Sequence, residues 1–186
     1  MATETDKKRR QALTLASLGG AAIAATGVAG AFGMSLAPSR RTKGEGAPVE
    51  VSLAAMETGK LRVVSWRRKP VWVLERTPEQ IASLEDTADL ADPDSENSEQ
   101  PEYCRNATRS IKPEMFVAVG ICTHLGCSPG VAFPKGFLCA CHGSYFDLAG
   151  RVFAGSPAPT NLPVPEHFFT EHGTLVIGES AGAANA

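Results

Sequence analysis

Residues 120–130, GICTHLGCSPG, and residues 138–147, LCACHGSYFD, decide how the rest of the chain is read. Together they hold four of its five cysteines and two of its four histidines. Six soft or borderline donors exceed the four that a tetrahedral zinc takes, so some of them must serve another purpose. Zinc-finger spacing pairs cysteine with cysteine and histidine with histidine, whereas each box here mixes the two. A mixture in both loops suits a centre with two inequivalent metal ions. Taking one cysteine and one histidine from each box gives C-x-H-x14-C-x2-H, made of Cys122, His124, Cys139 and His142, and leaves Cys127 and Cys141 over.

The segments around the boxes read as a small all-β domain. EMFVAVGI (114–121) is an apolar strand that delivers the chain to Cys122, and GVAF (130–133) with GFLCA (136–140) makes a hairpin back to Cys139. Upstream, VEVSL (49–53), LRVVSW (61–66) and PVWVLERT (70–77) are rich in β-branched and aromatic residues, with RRKP (67–70) as a turn. HFFTE (167–171) and TLVIG (174–178) close the domain. Thr77 as N-cap and Pro78 at the first helical position predict one short helix through EQIASL (79–84). DPDSENSEQP (92–101) is acidic, polar and without periodicity, and is expected as an exposed loop.

No charged side chain occurs from Gln11 to Ser39, and residues 13–36 are long enough to cross a hydrocarbon layer of ~30 Å as a helix. The reading is a retained membrane anchor; a cleaved secretory signal is the alternative. Gly27, Gly30 and Gly33 share one face of that helix, where another helix could approach closely. Ahead of it, KKRRQALTL (7–15) is similar to a twin-arginine export signal, although a plain basic flank would look alike. The first 43 residues carry seven basic side chains against Glu4 and Asp6, in a chain of net charge -2, so the remainder is clearly acidic. An acidic globular part argues against nucleic acid as a partner.

The two boxes strongly resemble the signature pair of the Rieske iron-sulfur family, C-T-H-L-G-C and C-x-C-H-G-S, without a mismatch. The resemblance implies one 2Fe-2S cluster per chain, with Cys122 and Cys139 on one iron and His124 and His142 on the other, and a disulfide between Cys127 and Cys141. Two neutral imidazoles in place of two thiolates make the cluster less negative and raise its potential. The box glycines are expected to let backbone amides approach the sulfurs. Ser144 resembles the family serine that donates to a bridging sulfide, and Leu125 the apolar residue that shields the cluster between its histidines. Phe146 stands where the family has a tyrosine, with Tyr145 just before it. GSPAPTNLPVP (155–165) resembles the proline-rich loop covering the cluster's far side. Cys104 is expected as a free thiol, and His167 and His172 are assigned no function.

Length excludes the ring-hydroxylating oxygenases of the family, and the stalk, neck and disulfide pair look most like the membrane-anchored subunits of bacterial quinol-oxidising cytochrome complexes. That resemblance implies a respiratory translocase in which ubiquinol gives one electron to the cluster and a proton to His124 or His142, both counted as catalytic. The electron passes to a c-type cytochrome haem. The implied partners are cytochrome b and a cytochrome c-type subunit in a dimeric complex. An exported soluble subunit, such as that of arsenite oxidase, is the alternative. The expected organisation is a cytoplasmic basic tail (1–11), a transmembrane anchor (12–37), a flexible neck (38–48) on which the domain swings, and a periplasmic Rieske domain (49–186) at the bacterial inner membrane. The disulfide requires an oxidising compartment, which sets that orientation.

Overall fold

The computed structural model describes residues 3–39, 42, 44, 46–86, 88–132, 134 and 136–182. Of the expected neck, Arg40, Arg41, Lys43 and Glu45 lie outside the described residues, as do Phe133 of the GVAF segment and residues 183–186. The chain divides into two compact units, Met1–Gly44 and Glu45–Ala186.

The first unit contains the long helix α1 (Glu4–Ser35). It starts with a capping box: the Thr3 hydroxyl accepts from the Asp6 amide, and the Asp6 carboxylate accepts from the Thr3 amide. Residues 4–11, read above as a tail, continue this helix, because nothing among them breaks it. The Thr14 and Thr26 hydroxyls donate to the carbonyls of Arg10 and Ala22, each at 2.8 Å, so these polar groups are satisfied within the helix. No residue of α1 is buried, and it is long and apolar enough to cross a membrane.

The second unit contains three antiparallel three-stranded sheets. β1 (Val49–Ser52) pairs with β9 (Thr174–Ile177), which pairs with β8 (His167–Phe169). β2 (Leu61–Trp66), β3 (Lys69–Glu75) and β4 (Met115–Val119) form the middle sheet. β5 (Gly130–Ala132), β6 (Gly136–Cys139) and β7 (Ser144–Phe146) form the third, which carries the second box. Alternation along β3 and β4 sends Val71, Val73, Met115 and Val117 to one core with Val51, Leu175 and Ile177. Their neighbours Trp72, Leu74, Phe116 and Ala118 enter a second core with Phe137, Phe146, Leu148, Val152 and Leu162. β3 and β4 are therefore buried on both faces, which is why those two segments are continuous apolar runs.

The RRKP turn is a two-residue hairpin loop: Trp66 pairs with Lys69, and Arg67 and Arg68 have φ of 49° and 60°. Positive φ at both central residues is what this hairpin geometry demands. The Arg67 guanidinium stacks over the Trp66 ring at 4.4 Å and offsets part of the strain. The helix Pro78–Ala82 starts as its sequence predicts, with Thr77 and Gln80 in a reciprocal capping box, and continues as a 3-10 turn at Ser83–Glu85.

His167 is a fully buried member of β8. Its Nδ1 lies 2.8 Å from the Pro165 carbonyl, and its amide donates to the Tyr103 hydroxyl, which in turn donates to Glu166. Burial holds its imidazole below the ordinary pKa, outweighing the upward pull of the Pro165 carbonyl and the Glu166 charge. The folded state thus binds fewer protons here than the unfolded one, so the stability is present above the unfolded value of about 6.5 and is lost as pH falls below it. His167→Gln is expected to flatten the decline of Tm between about pH 7 and pH 5. An unchanged slope in thermal melts across that range would assign the acid sensitivity elsewhere.

Candidate metal centre

The first box is the loop from β4 to β5. It folds on itself: the Cys122 amide donates to the Cys127 carbonyl at 2.7 Å, and the Gly126 amide to the Cys122 carbonyl at 3.0 Å. The second box is the β6–β7 turn, closed by the Gly143 amide donating to the Cys139 carbonyl at 2.9 Å. Gly126 and Gly143 take φ of +82° and +79°, while a Cβ at either would meet nothing within 4 Å. Both turns therefore require the left-handed backbone that glycine adopts without steric cost.

Cys127 and Cys141 are joined by a disulfide that ties the two loops together. Cys122 and Cys139 are free and buried. Burial first, and then the adjacent Cys122 thiol, push the Cys139 thiol above its ordinary pKa, which favours its protonated form without a cation. The His124 and His142 rings stand edge to face with centroids 4.8 Å apart. His124 Nδ1 is buried with no hydrogen-bond partner among the described residues, whereas His142 is exposed. A buried imidazole nitrogen left so is costly unless it binds a cation. Two thiols and two imidazoles fit a Rieske-type cluster in donor number and type. The sulfurs of Cys127, Cys139 and Cys141 also lie within 4.8 Å of one another, but the disulfide uses two of them, so they are not a three-thiolate site.

The remaining sequence-selected residues fall around this group. Ser144 is buried, and its hydroxyl accepts from the Ala158 amide at 3.1 Å, which leaves the hydroxyl hydrogen free to donate. Phe146 is buried on the same face of β7 as Ser144, and Tyr145 points the other way and is exposed. Leu125 is 71% exposed beside His124. Cys104 lies away from the boxes in a 3-10 turn (Glu102–Cys104), a buried free thiol pushed up to about 11 by burial.

Breaking the disulfide is expected to matter. It closes a loop with a sequence separation of 14, worth about 3 kcal/mol in the chain-entropy account. Cys127→Ser should lower the unfolding free energy by about that much and loosen both loops while still permitting some metal loading. Denaturant titration of oxidised and variant protein measures it; equal midpoints would show that the loops are fixed without the bond.

Several residues that the sequence reading passed over hold this region. Asp147 follows β7, and its carboxylate accepts from the amides of Ala149 and Arg151 and from the Arg151 guanidinium at 2.6 Å. Arg151 also donates to the Leu84 carbonyl at 2.7 Å. Arg76 and Arg109 are equally buried; desolvation brings them down to about 9 and about 10, and they still carry charge at neutral pH. Thr123, between two of the four donors, donates to the Thr160 carbonyl at 2.6 Å. The expected exposed loop 92–101 is irregular but has a buried side: Asp92, Ser95 and Ser98 are buried because the Asp92 carboxylate collects its own loop's donors. A polar run with no period gives no sign of such inward turns.

Comparison with known proteins agrees with this geometry. The profile of the "Rieske [2Fe-2S] domain" matches residues 98–166. The ubiquinol-cytochrome c reductase iron-sulfur subunit of Allochromatium vinosum is 49% identical over 87% of this chain and 88% of its own length. That of Bradyrhizobium diazoefficiens is 37% identical over 91% and 94%. Among solved structures, a chain of a hyperthermophilic respiratory Complex III superposes with a TM-score of 0.51 at 26% identity, covering 86% of this chain and 98% of that one.

Proposed function

This chain belongs to the Rieske iron-sulfur subunits of ubiquinol-cytochrome c reductase, and from that premise we propose which of its residues carry the reaction. As such a subunit it transfers electrons from quinol to cytochrome c within a membrane complex that includes cytochromes b and c1. The reading rests on two buried free thiols and two facing imidazoles gathered on loops that a disulfide joins.

Cys122 and Cys139 would hold one iron, and His124 and His142 the other. When bound, the 2Fe-2S cluster supplies a one-electron couple whose potential is raised by the two neutral ligands. His124 would bind through its buried Nδ1, which leaves Nε2 to accept the quinol hydrogen bond and hold its proton. Exposed His142 has the same capacity at its outer nitrogen. The free hydrogen of the Ser144 hydroxyl is available to a cluster sulfide, while Leu125 would shield the cluster between its histidines and the proline-rich loop would cover its far side. Phe146 has no hydroxyl to offer, and Tyr145 faces away from Ser144. The neck 38–48 would let the domain reach its acceptor, with α1 retained in a bacterial inner membrane, the folded domain in the periplasm and the complex dimeric.

Purification from native membranes tests this. The full chain should copurify with b- and c-type haems and oxidise ubiquinol with electron delivery to cytochrome c. Recovery of the chain in the soluble fraction, shortened and free of haem subunits, would favour an exported soluble carrier instead.

A further inference from the structure

Asn161 sits in the proline-rich segment, is fully buried, and has every side-chain atom partnered. Its Nδ2 donates to the Asp92 carbonyl at 2.9 Å and the Ser95 hydroxyl at 2.8 Å, and its Oδ1 accepts from the Val152 amide at 2.8 Å. Its backbone amide donates to the Ser98 hydroxyl at 2.9 Å. Ser98 in turn donates to the Asp92 carboxylate at 2.6 Å, a charge-assisted bond that makes its oxygen a better acceptor. Ser95 reaches Asn161 from a φ of 55°, a conformation that persists in a serine only where its surroundings fix it. One residue before Asn161, the Thr160 carbonyl accepts from Thr123, which is adjacent in sequence to both Cys122 and His124.

We propose that the acidic segment 92–98 is a brace for the metal centre, and that Asp92, Ser95 and Ser98 are positioning residues acting through Asn161. They fix the Thr160 carbonyl, and Thr123 is held against it. The first ligand loop therefore inherits its placement from a segment that contributes no ligand. The chain of contacts is short: Ser98 to Asn161, then one peptide unit to Thr160, then Thr123. This inference rests on the Rieske reading of the site, since its consequence is felt at the cluster.

The test is a double-mutant cycle read as midpoint potential, on the full chain purified with its cluster. Ser98→Ala and Thr123→Val should each shift the potential in the same direction, by about a threefold change in the oxidised-to-reduced ratio, or about 30 mV. The double variant should move no further than Thr123→Val alone, because the link is already cut. Ser98→Thr, which keeps the hydroxyl, should restore the parent potential. If Ser98→Ala does not fold, Ser95→Ala removes one Asn161 bond and carries the same expectation. Additive shifts in the double variant, or a loss of Tm with the potential and reduced-state spin resonance spectrum unmoved, would overturn the brace. A parent protein that binds no 2Fe-2S cluster would instead overturn the reading beneath it.

Discussion

Cys122→Ser, Cys139→Ser, His124→Ala and His142→Ala are each expected to yield a chain without a 2Fe-2S cluster and a complex whose quinol to cytochrome c turnover falls to background. Among the described residues no spare cysteine lies within reach: Cys127 and Cys141 are consumed by their disulfide, and Cys104 is buried in a separate turn. Serine at Cys122 or Cys139 is a harder, less acidic donor than thiolate, and alanine removes the imidazole nitrogen outright. The parent should show two iron and two acid-labile sulfides per chain and nitrogen couplings from two imidazoles in its reduced spin resonance spectrum. Cys104→Ser should keep all of these. Full iron content in any of the four ligand variants, or no nitrogen coupling in the parent, would refute the ligand set.

Asp147→Ala is expected to be the most damaging change outside the ligands. Asp147 and Arg151 are both buried, and the carboxylate is the counter-charge nearest to Arg151 as well as the acceptor for two amides of the turn after β7. Removing one partner of a buried pair leaves an uncompensated charge and costs about 3–5 kcal/mol. Arg76 and Arg109 add to the cost, since both guanidinium groups are buried in the field of the same carboxylate. Asp147→Asn keeps an oxygen for the amides and should fall between alanine and the parent. Denaturant midpoints rank the three; alanine within about 0.5 kcal/mol of the parent would mean that the pair contributes nothing net.

The strands were legible because their residues obey simple periods. β3 and β4 read as unbroken apolar runs since both of their faces are covered, and the Thr77 cap announced the helix after them. The four donors were legible because metal chemistry constrains residue type and spacing within short loops. Asn161, Asp92 and Ser98 were not, for their partners lie more than sixty positions apart in the chain and only tertiary packing joins the two segments. The buried arginines were hidden for a related reason: a guanidinium turns inward only when carbonyls from distant turns await it, as those of Thr108, Pro113 and Ala149 do here.

The middle sheet, shared by two cores, bears on how the domain comes apart. Val71 and Val73 serve one core and Trp72 and Leu74 the other, on a single strand. Neither core can melt while the other stays intact, because opening either strips one face of β3 and β4. The metal-bearing half and the supporting half therefore form a single cooperative unit. Slow amide exchange at Val73 and Val117 would proceed only through global opening, and a ligand that tightens the cluster loops would slow exchange at the opposite end of the domain.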